Sequence, residues 1–124
     1  MSEAAFAVAW TGPAQRTLRR LPTKAATAPV EFIYGSLAGH AQQVGTPLRS
    51  GLAGLRSARR GGYRVIYRIN TGEHRIEIVA IGHRAGACTA RLYEQAARDA
   101  ERLREDPDDV AEIRAVNEEL NDEG

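Results

Sequence analysis

One stretch sets the architecture: Gly61-Gly62-Tyr63-Arg64-Val65-Ile66-Tyr67-Arg68-Ile69-Asn70-Thr71-Gly72-Glu73-His74-Arg75-Ile76-Glu77-Ile78-Val79-Ala80-Ile81-Gly82-His83. Its period is two. Tyr63, Val65, Tyr67 and Ile69 face one way and Arg64, Ile66 and Arg68 the other, which is the pattern of a half-buried strand. After the Asn70-Thr71-Gly72 turn, Ile76, Ile78 and Ala80 alternate with Arg75, Glu77, Val79, Ile81 and His83 in a second strand. Before the Gly61-Gly62 turn, Leu52 to Arg60 reads as a third strand, with Leu55, Ser57 and Arg59 on one face.

Upstream the period lengthens. Phe6-Ala7-Val8-Ala9-Trp10 is a short apolar strand. Thr11-Gly12-Pro13 supplies an N-cap and a proline in the first helical turn, where its missing N–H costs nothing. Ala14, Leu18 and Leu21 follow at helical spacing, and Pro22 closes that helix. Ala26, Val30, Ile33 and Leu37 form the stripe of a second helix over 23–37, with a kink expected at Pro29. Gly39 to Pro47 reads as loop. The order is an α+β plan, strand, two helices and three antiparallel strands, with the helices covering one sheet face. The other face, carrying Arg59, Arg64 and Arg68, is expected to lie open.

Charge divides the chain. Residues 1–88 hold 12 Lys/Arg against four acids, a net +8, whereas residues 89–124 hold five Arg against 12 acids, a net −7. The expected organisation is therefore a basic domain over 1–88 and an acidic helical extension over 89–124. A basic body with few acids suits a polyanion partner, because unpaired arginines on one face repel each other unless anions are expected. In the extension, Leu92, Ala96, Ala100 and Leu103 form a helical stripe with Tyr93 beside it. Asp106-Pro107-Asp108-Asp109 then predicts the start of another amphipathic helix carrying Val110, Ile113, Val116 and Leu120. The 124 residues contain a single cysteine, Cys88, which excludes an internal disulfide and a Cys-pair zinc site. No apolar run approaches the length of a membrane span, and a cytoplasmic location is expected.

The segment Arg59-Arg60-Gly61-Gly62-Tyr63-Arg64-Val65-Ile66-Tyr67, followed by Ile81-Gly82-His83-Arg84, resembles the RelE/ParE toxin superfamily, closest to its RelE-like branch. Leu21-Pro22, the Val30-Glu31-Phe32-Ile33-Tyr34-Gly35-Ser36-Leu37 helix and Gly45-Thr46-Pro47-Leu48-Arg49 fit as well, so the resemblance spans roughly residues 6–87. It implies the β-α-α-β-β-β fold of that family and the toxin of a toxin–antitoxin pair, an endoribonuclease that cuts mRNA in the ribosomal A site. The implied partners are a cognate antitoxin, the ribosome and mRNA, with no membrane, metal or cofactor. The implied reaction transfers the scissile phosphate to the neighbouring 2′-OH. Such chemistry needs a base for the 2′-OH, cations for the charge that builds on phosphorus, and an acid for the leaving 5′-oxygen. Arginine fits the second role through its permanently charged, bidentate fork.

Mapped residue by residue, the resemblance places Arg64 and Arg84 on the scissile phosphate and Arg59 beside them. Arg56, Arg60, Arg68 and Lys24 are placed on the RNA backbone. Leu55 and Ser57 stand where the family carries two lysines, and Cys88 and Ala90 where it carries a tyrosine. The proton carrier is left between Tyr93, the nearest tyrosine, and His83, whose side-chain type titrates near neutrality. His40 and His74 read as surface residues and Trp10 as core. Two further functions stay open: a ParE-like gyrase poison, and an inactive homologue that binds RNA or antitoxin. The stretch from Leu103 to Leu120 resembles the toxin-binding tails of small antitoxins. That leaves three readings of the extension: an internal inhibitor of the basic face, a helical pairing element for dimers or antitoxin, or a solvated appendage.

Overall fold

The computed structural model describes residues 6–21, 23–48, 54–83, 89–105 and 111–112. Six strands form one sheet: β1 (Ala7–Trp10), β2 (Thr46–Pro47), β3 (Arg56–Arg60), β4 (Tyr63–Asn70), β5 (Arg75–His83) and β6 (Ala111–Glu112). Their spatial order is β2-β3-β4-β5-β1-β6. β3, β4 and β5 are the expected antiparallel meander. β1 joins it in parallel, Val8 opposite Ile76 and Trp10 opposite Ile78.

Two helices pack on one face. In α1 (Gly12–Arg20) the Thr11 hydroxyl accepts from the Ala14 amide at 3.3 Å, and Pro13 occupies the first turn. Thr11 also donates to the Val79 carbonyl at 3.3 Å, tying the helix start to β5. α2 (Thr23–Glu31) runs through Pro29 and continues in a wider, π-type winding over Phe32–Leu37. A proline removes one rung of the helical ladder, and a locally widened turn is a common response. The expected stripe survives, with Val30, Ile33 and Leu37 buried. They meet Val8, Trp10, Ala58, Val65, Tyr67, Ile76, Ile78 and Ile81 in the first of two cores. Trp10 is fully buried and donates its indole N–H to Tyr34 Oη at 3.0 Å.

The strict alternation expected in β5 fails at one point. Ile66 pairs with Ala80 and Tyr67 with Ile78, which leaves Val79 as a bulge. The extra residue turns Ile81 to the same core as Ile76 and Ile78, while Val79 and Ala80 join the opposite one.

That second core corrects the expectation of an open face. α4 (Thr89–Glu105) lies across the other side of the sheet and buries Ala96, Ala100 and Leu103 against Leu55, Ile66, Val79 and Ala80. Leu92 and Tyr93 flank the contact. This part of the extension is thus no solvated appendage. Beyond it, Ala111 and Glu112 pair with Trp10 and Ala9 as a short antiparallel strand. A helix is expected there. Two residues hydrogen-bonded to an otherwise free strand edge satisfy backbone groups that an isolated amphipathic turn leaves to water. Asp106 to Val110 and Ile113 to Leu120 lie outside the described residues. Where loop is expected, a single turn α3 (Ala41–Val44) leads into β2, which extends the β3 edge. Among the described residues no helix is long and apolar enough to cross a membrane.

Candidate active site

Arg59 and Arg64 stand directly opposite each other in the β3–β4 register. Like charges in that position destabilise an antiparallel pair, so sheet stability alone does not select them. Both line an open cleft of about 400 Å³ together with Val44, Thr46, Leu48, Ser57, Ala58 and Tyr93. This lining contains two guanidinium groups and no carboxylate. Tyr93 comes from α4. Its hydroxyl accepts a hydrogen bond from Arg64 Nη1, and the guanidinium carbon lies 5.7 Å from the ring centroid. A phenol holds a guanidinium in place without cancelling its charge, so Arg64 stays available to an anion.

The wall opposite α4 is built by a buried tyrosine. Tyr67 donates to the Ala41 carbonyl at 2.7 Å. Arg56 bonds the same hydroxyl through Nε at 3.3 Å and the carbonyls of Gln42 and Gly45 through Nη2 at 2.9 and 2.7 Å. These bonds fix α3 and the start of β2, and with them Val44 and Thr46. Gly45 is required at this point, because a Cβ there would overlap the Tyr67 hydroxyl and lie 2.9 Å from its ring.

The other residues expected on the RNA backbone sit in differing surroundings. Arg56 ties β3 to the α3–β2 segment through the Gln42 and Gly45 carbonyls. Arg68 is bound to Glu77, its partner across β4 and β5: Nε donates to Oε1 at 2.6 Å, and Nη2 pairs with the same oxygen. Glu77 is fully buried and also accepts from Arg75 Nε at 2.7 Å and Asn70 Nδ2 at 3.2 Å. A carboxylate without access to water holds its cations as the condition of its burial. Arg60 is exposed opposite Tyr63 and does not line the cleft. His83 ends β5 in register with Tyr63. Its side chain and that of Lys24, along with all of Arg84 and Cys88, lie outside the described residues.

Of the family's two lysine positions, Leu55 is buried in the second core and Ser57 lines the cleft. Ser57 pairs in register with Thr46, which sequence reasoning left in a loop. A two-residue strand carries no periodicity, so only its place opposite β3 reveals it.

Comparison with known proteins agrees with this architecture. The profile of the ParE toxin family of type II toxin–antitoxin systems matches residues 8–88. Toxin RelE of Mycobacterium tuberculosis is 50% identical over 82 residues, covering 66% of this chain and 84% of the relative. Toxin RelG of the same organism is 44% identical over 80 residues, covering 64% and 92%. Among solved structures, the toxin–antitoxin complex RelBE2 of M. tuberculosis matches with TM-score 0.62 and 42% identity, over 65% of this chain and all of that one. A doubly substituted variant of E. coli toxin RelE in the free state shares the fold, with TM-score 0.61 at 15% identity over 77% and 97% of the two chains. With an antiparallel meander, two helices on one face and a family profile running through both, this chain belongs to the RelE/ParE family of toxins.

Proposed function

We propose that this protein is the toxin of a type II toxin–antitoxin pair and acts as an endoribonuclease on translated mRNA. The observation that carries the reading is the opposed Arg59–Arg64 pair in a cleft whose described lining holds no acid. Two cations lining one cleft suit the dianionic phosphorane that forms when a 2′-oxygen attacks its own 3′-phosphate. In that step the P–O2′ bond forms, the P–O5′ bond breaks, and the products are a 2′,3′-cyclic phosphate and a 5′-hydroxyl. Arg64 takes the non-bridging oxygens, Arg59 supports them, and Arg84 supplies the third cation.

Tyr93 is the proton carrier in this reading. It is the one titratable group besides the arginines in the described lining, and its hydroxyl already touches Arg64. His83 is the other candidate, and Tyr93→Phe and His83→Gln separate the two: the folded variant that loses cleavage identifies the proton carrier. Residues 1–88 form the toxin domain and 89–124 an extension that lends Tyr93 to it. The partners are a cognate antitoxin, as the RelBE2 toxin–antitoxin complex supports, and, for the cleavage reaction, the ribosome and mRNA; the site of action is the cytoplasm.

The test is translation-dependent cutting of mRNA by the full-length protein, abolished by Arg64→Ala. A second reading rests on the matching profile, which is that of ParE toxins: inhibition of gyrase without RNA cleavage. Loss of DNA supercoiling with intact mRNA would establish it in place of the first.

A further inference from the structure

α4 carries a buried carboxylate that neither the cleft nor the apolar packing explains. Asp99 is 3% exposed. Its Oδ1 accepts from Arg102 at 3.4 Å, and Oδ2 has no hydrogen-bond partner among the described residues. It shares a small cavity of about 10 Å³ with Thr11, Gly12, Pro13, Arg102 and Leu103. This is the first turn of α1, which has no acid of its own. Negative charge is favoured near a helix start, and the carboxylate beside this one comes from α4. The charged groups that face Asp99 are Arg16 from α1 and Arg98 and Arg102 from its own helix.

The position matters because of where Tyr93 lies. Six residues separate it from Asp99, a turn of about 240° at 100° per residue. The two side chains therefore leave α4 on opposite flanks of the stripe Ala96, Ala100 and Leu103. At the N-terminal end the helix axis is fixed by close approach to β5, where a Cβ on Gly82 would stand 2.7 Å from Leu92 Cδ2. Two of the three stripe residues are alanines, whose short side chains resist rotation about that axis less than longer ones do. On the flank away from the cleft, the buried Asp99 side chain abuts the cavity at the first turn of α1 and restricts that rotation.

We propose that Asp99 is a positioning residue: set against the first turn of α1, it fixes the roll of α4 and so holds the Tyr93 hydroxyl on Arg64. The consequence for RNA rests on the reading of the Arg59–Arg64 cleft as the RNA site. The contact itself does not.

The test uses the full-length chain and the variants Asp99→Ala, Asp99→Ser, Asp99→Asn, Tyr93→Ala and Asp99→Ala/Tyr93→Ala. Two readouts are followed: the NMR signals of the Tyr93 ring and the Arg64 side chain, and affinity for a short 2′-O-methyl RNA that cannot be cut. Truncation to Ala or Ser is expected to move both signals while core amides of β4 and β5 keep their hydrogen-exchange protection. Asn keeps an acceptor of the same shape and is expected to leave them in place. RNA affinity should fall by roughly 3–10-fold in Asp99→Ala and no further in the double variant than in Tyr93→Ala, because coupled residues are not additive. Additive losses, or unmoved Tyr93 and Arg64 signals in both truncations, overturn the proposal. If the native protein does not bind the RNA, the reading of the cleft fails, and the two NMR signals still decide the role of Asp99.

Discussion

Arg64 and Arg68 leave β4 on the same face, four residues apart, and the structure uses them in opposite ways. Arg68 is paired with a fully buried glutamate that also holds Arg75 and Asn70. Among the described residues, Arg64 faces another arginine across the ladder and hydrogen-bonds a phenol. The first is a charge whose electrostatics are closed inside the protein, and removing it costs stability. Among the described residues the second is held in place with no acid in its cleft, which is an arrangement that folding alone does not favour. A basic face is thus two different things side by side, and the nearest acid tells them apart.

The largest expected effect is on the closed side. Glu77→Ala strands Arg68 and Arg75 around a buried hole and should lose about 3–5 kcal/mol of unfolding free energy in urea titration. A loss under 1 kcal/mol would mean that the network is incidental. Next comes the open side. Arg64→Ala should reduce mRNA cleavage by roughly 100-fold or more with little change in thermal midpoint, whereas folded Arg68→Ala keeps most activity and loses stability. If both substitutions cost activity equally, the contrast collapses. Gly45→Ala pushes a methyl into the Tyr67 ring and should cost about 1–3 kcal/mol, read by thermal melting, because a buried ring bonded to Ala41 and Arg56 has nowhere to go.

The smallest effect is at Asp99, whose burial raises its carboxyl pKa against the pull of Arg102, Arg98 and Arg16. The folded state therefore takes up this proton more readily than the unfolded one. Its contribution is fully present below the ordinary carboxylate value and is lost as pH rises through the folded one. Asp99→Asn should flatten that slope and raise the neutral-pH midpoint by about 2–4 °C in calorimetry. A lower midpoint would mean that the charge itself stabilises.

The sheet was legible because period-two alternation in Tyr63 to Ile69 and the Asn70-Thr71-Gly72 turn are strong local signals. The bulge at Val79 was not, since one extra residue in a run of β-branched side chains leaves no mark in composition. The stripe of α4 was legible and its destination was not: Ala96, Ala100 and Leu103 announce a buried face without naming the surface that buries it. The neutralisation of Arg68 was within reach of the sequence, because counting back around the hairpin sets Glu77 opposite Arg68. The opposed Arg59 and Arg64 follow from the same counting around Gly61-Gly62. Tyr93 was a candidate in the sequence, but its place beside Arg64 required the fold, since no local pattern says that a helix after β5 crosses back over β4.

The central claim is that the Arg59–Arg64 cleft cuts translated mRNA. Its most direct test is primer-extension mapping of a message in a cell-free translation reaction supplied with the full-length protein, Arg64→Ala or Arg68→Ala. The account predicts translation-dependent cuts from the native protein and from Arg68→Ala, and none from Arg64→Ala. Intact message from folded native protein on active ribosomes, or undiminished cutting by Arg64→Ala, would contradict it.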